Sequence, residues 1–130
     1  RTFRLDRFVI NSGNTITAMA TVRMLKEDGT KVEEVAQGDG PIDAAFHAIE
    51  SIVGRRLHLE DYKLQSITEG KDALGDATVA LSEEGRERNG KPVITKGRGL
   101  STDVIEASLI AYINAVNKLI YEEKEHGAQA

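Results

Sequence analysis

The 130-residue sequence contains no cysteine, which excludes disulfide bridges and thiolate metal sites and is compatible with a reducing compartment. It has no unbroken apolar run near the roughly 20 residues that cross a bilayer, and no signal-peptide pattern. A soluble, cytoplasmic protein without a membrane partner is expected. Nor does one charge dominate: 17 Lys and Arg stand against 21 Asp and Glu, interleaved, for a net charge of −4. Such a surface does not gather a polyanion, so nucleic acid is not an expected partner.

Patterns that carry chemistry are missing as well. His47, His58 and His126 lie far apart, without the His-x-His or His-x-x-x-His spacing that puts two imidazoles on one metal. No serine sits in Gly-x-Ser-x-Gly, and no Gly-x-x-x-x-Gly-Lys-Ser/Thr loop occurs. Two Gly-x-Gly stretches, Gly38-Asp39-Gly40 and Gly97-Arg98-Gly99, lack the third glycine of a dinucleotide fingerprint. Carboxylates such as Glu83, Glu84 and Glu87 are expected at solvated hairpin tips. The chain itself is therefore expected to be no enzyme and to hold neither metal nor cofactor.

What is present is ordinary globular material, 40% hydrophobic and 29% charged, enough for one compact domain over 1–130. Arg1 leads almost at once into strand-like sequence, Phe3 to Ile10, as expected of a domain cut from a longer polypeptide. Ile16, Ala18, Ala20, Val22 and Met24 alternate with Thr15, Thr17, Met19, Thr21 and Arg23, the period of a strand with one buried face. Asp28-Gly29 predicts a hairpin turn, and Lys31 to Gln37 the returning strand. Pro41 suits the first position of a helix, because its missing N–H would have had no partner there. Ile42, Ala45, Phe46, Ile49 and Ile52 or Val53 follow at helical spacing, with Gly54 as the stop.

The second half repeats this order. Leu59-Glu60-Asp61-Tyr62 echoes Leu5-Asp6-Arg7-Phe8, and Ala77-Thr78-Val79 echoes Ala20-Thr21-Val22. Acidic glycine turns, Asp28-Gly29 and Glu84-Gly85, follow each, and Gly97-Arg98-Gly99 matches Gly38-Asp39-Gly40. The reading is α+β: two pseudo-symmetric βββα repeats, about 1–56 and 57–121, with sheets packed against helices and a frayed tail over 122–130. Ser101, Thr102 or Asp103 caps the second helix, with Glu106 three residues after Asp103. From Val104 to Ile120 that helix is apolar around most of its circumference, and a partner subunit is the expected cover. In Tyr62 to Gly75, the strand face of Tyr62, Leu64, Ser66 and Thr68 runs into Glu69-Gly70-Lys71-Asp72-Ala73-Leu74-Gly75. That stretch reads either as a plain connection with Asp72 capping a turn or as a loop closing over a small ligand.

Three motifs carry a resemblance. Gly38-Asp39-Gly40-Pro41-Ile42-Asp43-Ala44-Ala45, Thr68-Glu69-Gly70-Lys71-Asp72-Ala73-Leu74-Gly75, and Gly97 to Ser108 with Ala111 to Leu119 resemble, in order and spacing, the C-terminal regulatory domain of α-isopropylmalate synthase. The resemblance implies a homodimeric domain that binds leucine as feedback inhibitor of a separate, metal-dependent TIM barrel absent from this chain, which condenses acetyl-CoA with 2-oxoisovalerate. The related domain of citramalate synthase implies isoleucine instead, but that branch tends to carry a tryptophan in its final helix and this sequence has none. A dimerisation module without effector binding is the further alternative. Carried over by position, the effector pocket implied comprises Gly38, Gly40, Ile42, Leu59, Tyr62, Ser66 and Ala73. The second Gly-x-Gly either holds another ligand or preserves the fold, and Arg98 is expected at the surface or a dimer contact. Asp43 either caps its helix or contacts the partner.

Overall fold

The computed structural model describes residues 2–14, 16–69 and 72–127. The element order is β1 (Phe3–Asn11), β2 (Ala18–Lys26), β3 (Lys31–Gly38), α1 (Pro41–Val53), β4 (Leu57–Glu69), β5 (Asp72–Arg88), β6 (Lys91–Ser101) and α2 (Val104–Gly127). This is the α+β, twice-repeated βββα architecture the sequence predicts. Each repeat forms a three-stranded antiparallel sheet, β1-β2-β3 or β4-β5-β6. Contacts divide the chain into two compact units, Arg1–Arg55 and Arg56–Ala130.

In the first unit the period of two in β2 buries Ala18, Ala20, Val22 and Met24, while Ile16 lies before the strand and is exposed. Thr15 falls outside the described residues. α1 covers that face with Ala44, Ala45, Phe46, Ala48 and Ile49, all buried. It ends at Gly54, whose φ of 74° is the left-handed conformation that favours glycine.

The duplication has left a mark finer than strand order. In β1 the register slips between Leu5 and Arg7, so that Asp6 is extra; in β4 it slips between Leu59 and Asp61, so that Glu60 is extra. Both repeats carry a one-residue bulge at an acidic residue in the echoed tetrapeptide. The bulged carboxylates are engaged: Arg23 lies 3.7 Å from Asp6, and the Ser82 hydroxyl donates to Glu60 at 2.5 Å.

Further along, the echo misleads. Glu84-Gly85 is no hairpin tip; it lies inside β5, in an irregularity of the ladder between Ser82 and Glu87. The β5–β6 hairpin turns at Asn89 and Gly90, both with positive φ. This longer hairpin moves Gly97-Arg98-Gly99 into the middle of β6. Ladder position identifies the true counterparts: Ala18 pairs with Gly38 and Gly75 with Ser101, and each helix starts three residues after Gly38 or Ser101.

Gly97 and Gly99 serve packing instead. A Cβ on Gly97 would lie 2.2 Å from the Ala111 carbonyl oxygen, and one on Gly99 2.1 Å from that of Ala107. Ala107, Ala111 and Ala115 recur every four residues along the face of α2 that rests on this bare backbone.

The expectations for α2 need two corrections. Leu109, Ala111, Ile113, Ala115, Val116 and Leu119 are at most 2% exposed within a single chain, so most of the apolar circumference is covered by the second unit itself, while Val104 stays 48% exposed. The helix also continues past the expected fraying point to Gly127. Arg86 donates to the Leu119 carbonyl at 3.2 Å and to Glu122 at 2.6 Å, and Arg88 also pairs with Glu122. By length and composition Val104–Glu125 passes for a membrane span, which the reading by unbroken apolar runs missed; 56% of its most apolar window is buried inside the protein.

Candidate functional site

Of the residues implied for the effector pocket, Gly38, Gly40 and Ile42 belong to the first unit, where β3 turns into α1. Gly40 is the N-cap, in extended backbone and without a side chain to bond the helix, and Pro41 opens the first turn. The Ala44 amide donates to the Gly40 carbonyl at 2.9 Å. Asp43 reaches backwards, accepting the Asp39 N–H at 2.9 Å, and so ties the first helical turn to the residues before it. His47 ties the same turn to β3, its Nδ1–H donating to the Gln37 carbonyl at 2.9 Å. The Ile42 and Asp43 amides thus point out of a helix end that carries partial positive charge and has no N-cap oxygen of its own.

The two glycines differ. A Cβ on Gly38 would sit 2.3 Å from the Ala44 nitrogen, so that glycine lets strand and helix approach; at Gly40 nothing lies within 4 Å. Gly38 is required by the fold, whereas Gly40 leaves open the space in front of the helix end.

Leu59, Tyr62, Ser66 and Ala73 belong to the second unit. The pairs Leu59 with Leu81, Tyr62 with Val79, Ser66 with Gly75 and Thr68 with Ala73 put all four on one sheet face, the one α2 packs against. Glu69 pairs with Asp72, so Asp72 to Gly75 is the return strand of a hairpin and not a closing loop. Gly70 and Lys71, and the side chain of Asp72, lie outside the described residues. Ser66 and Ala73 are exposed close to the hairpin end. Tyr62 stands four residues further in, about 13 Å at the rise of a strand. Leu59 is separated: its partner Leu81 lies eight residues from Ala73, about 26 Å along β5. Within one copy no ligand of amino-acid size touches both.

The second repeat offers no comparable open helix end. Asp103 caps α2, its Oδ1 accepting from the Ile105 amide at 2.9 Å and the Glu106 amide at 3.3 Å. A carboxylate already stands where a ligand's would go.

Two polar features were not legible beforehand. Arg98, expected at the surface or a dimer contact, grips Asp76 with both arms, Nε to Oδ1 at 2.8 Å and a terminal nitrogen to Oδ2 at 2.9 Å. These hydrogen bonds outweigh burial and hold the Asp76 carboxyl below its ordinary range. The stabilisation is therefore complete above the unfolded value, about pH 4, and is lost as pH falls through the lower folded value. Asp76→Asn is expected to be less stable than the parent at pH 7, with a gap that closes as urea unfolding is repeated at falling pH; a constant gap contradicts this. The other feature is Ser108, fully buried in α2 and joined to Tyr62 at 2.6 Å. Its only signal in sequence was one hydroxyl among apolar neighbours. Among the described residues no three His, Asp or Glu side chains gather as a metal site.

Two βββα units, each a sheet with one face under its own helix, define a duplicated α+β module with, among the described residues, a single open helix end. Residues 1–120 match the model of the LeuA allosteric (dimerisation) domain, and the chain belongs to that family. It is 45% identical over 126 residues to a 2-isopropylmalate synthase of Carboxydothermus hydrogenoformans, an alignment covering 97% of this chain and 23% of that protein. It is 45% identical over 120 residues to one of Ruminiclostridium cellulolyticum, covering 92% and 22%. With one of Brevibacillus brevis it shares 41% over 123 residues, covering 95% and 23%. The chain thus spans less than a quarter of the length of these relatives.

Proposed function

We propose that this chain is the feedback-regulatory part of a cytoplasmic 2-isopropylmalate synthase and binds leucine at the N-terminus of α1. The observation that carries the reading is the uncapped helix end behind Gly40, set against the carboxylate-capped end of α2. The Ile42 and Asp43 amides receive the leucine carboxylate, the helix dipole favours its charge, and Gly40 keeps the approach clear. The Ile42 side chain flanks the aliphatic group. Backbone carbonyls of the turn accept from the ammonium. Leu59 and Ala73 meet a common ligand only from two copies of the chain, which fits a homodimer.

Condensation of acetyl-CoA with 2-oxoisovalerate belongs, on this reading, to a catalytic domain outside the chain. Inhibition requires leucine to bind the inhibited arrangement more tightly, by a coupling of about 1–3 kcal/mol. The test is thermal unfolding with leucine in excess. A ligand that binds only the folded state at a hundredfold its Kd adds about 2.7 kcal/mol, a rise of several degrees in Tm. No rise with leucine contradicts the reading; a larger rise with isoleucine moves the chain to the citramalate synthase branch, and none with either leaves a dimerisation module.

A further inference from the structure

His47 stands in the second turn of α1, and both of its ring nitrogens face acceptors of the first unit. Nδ1 lies 2.9 Å from the Gln37 carbonyl oxygen, and Nε2 lies 3.4 Å from Oδ1 of Asp43. Neither a carbonyl nor a carboxylate can donate, so a neutral imidazole, with one N–H, serves only one of them, whereas the imidazolium, with two, serves both. The other Asp43 oxygen, Oδ2, holds the Asp39 N–H at 2.9 Å. The run from the Gln37 carbonyl through His47 and Asp43 to the Asp39 amide therefore brackets Gly38 and fixes the chain that leads to Gly40. Asp43 also brings a negative charge into the first turn of the helix, beside the place proposed for the effector's carboxylate, and the imidazolium balances that charge. The other groups around the helix do not supply this balance. Glu50 on α1 and Glu34, exposed on the α1 side of β3, are acidic. β2 and β1 turn apolar residues to the helix, Ala20, Val22 and Met24 paired with Ile10, Phe8 and Leu5.

We infer that His47 is a positioning residue for the effector turn, and that its second proton, by closing the link to Asp43, strengthens binding of an α-amino acid's carboxylate at the N-terminus of α1. The inference rests on the reading above in which that helix end receives leucine. As pH rises and the second proton leaves, Nε2 turns a lone pair toward a carboxylate, the link opens, and leucine affinity falls.

The test is calorimetric titration of leucine into the 130-residue chain at about pH 5.5 and about pH 7.5, a span over which imidazole is the side chain that ordinarily changes charge. An exposed ion pair of this kind is expected to change affinity about two- to fivefold, tighter at the lower pH. His47→Gln, uncharged throughout, is expected to bind alike at both pH values, at about the weaker of the parent's two affinities. The side chain it replaces is 50% exposed, so this variant is expected to fold. Asp43→Asn is expected to level the profile too, because His47 acts through that carboxylate. A pH dependence that persists in either variant overturns the inference, and should His47→Gln fail to fold, Asp43→Asn decides alone. Equal, saturable binding by the parent at both pH values removes only the positioning role, whereas no binding at either removes the effector reading and the positioning role with it.

Discussion

Gly99→Ala is expected to disrupt the second unit, although it adds one methyl group. In the interior of a strand, alanine in place of glycine ordinarily gains about 0.5–1 kcal/mol from reduced backbone freedom. Here the new Cβ would stand 2.1 Å from the Ala107 carbonyl oxygen, 2.7 Å from the Ala111 nitrogen and 3.0 Å from the Ile110 Cβ. Two of these atoms are backbone, so no rotamer change relieves them. α2 must lift from β6, and lifting it also strains the Thr95 hydroxyl bond to the Ala115 carbonyl and the Asn114 amide bond to the Arg98 carbonyl, both 2.8 Å. Overpacking of this kind costs about 3 kcal/mol or more, a large share of a small domain's stability. Urea unfolding monitored by circular dichroism is expected to show that loss. A midpoint unchanged from the parent contradicts the close strand–helix approach.

Gly40→Val is expected to do the reverse, leaving the fold in place and removing the ligand. The backbone at Gly40 has φ −158° and ψ 177°, extended geometry that any residue adopts. A Cβ there meets nothing within 4 Å, and the loss of a glycine N-cap costs at most about 1 kcal/mol. The branched side chain fills the space ahead of the Ile42 and Asp43 amides, where the carboxylate is proposed to sit. In an intact synthase carrying this domain, the same change is expected to abolish leucine inhibition and spare turnover. Retained leucine sensitivity in a folded variant sinks this placement of the carboxylate.

The parts of the fold that read directly from sequence are those governed by local chemistry. The alternation in Ala18 to Met24, the Asp28-Gly29 turn, Pro41 as the first helical residue and Gly54 as the stop each follow from a period or a backbone preference, and each stands in the structure. Even the bulges at Asp6 and Glu60 were latent in the echoed tetrapeptides. The errors arose where one residue type serves two purposes. Glycine permits a turn, a bulge or a close approach, so Gly85 resembled a hairpin tip and Gly97-Arg98-Gly99 a helix-opening turn, while register and packing gave them other work. The strand Asp72 to Gly75 was hidden for the same reason, since glycines on either side resemble a loop. Long-range polar pairs such as Arg98 with Asp76 and Tyr62 with Ser108 leave almost no local trace. Most of the fold was legible, therefore, and the candidate site only as scattered residues whose separation along β4 and β5 needed the ladder.

The measurement that bears most directly on the account is calorimetric titration of leucine into the chain and into its Gly40→Val variant, side by side, at a concentration where both are shown to be dimeric. The parent chain is predicted to bind saturably, one leucine per chain, because among the described residues only α1 has an open end. The variant is predicted to give no saturable heat while unfolding at nearly the parent temperature. Equal binding by both chains, or two leucines per chain in the parent, would contradict the assignment of the effector to the Gly40 turn.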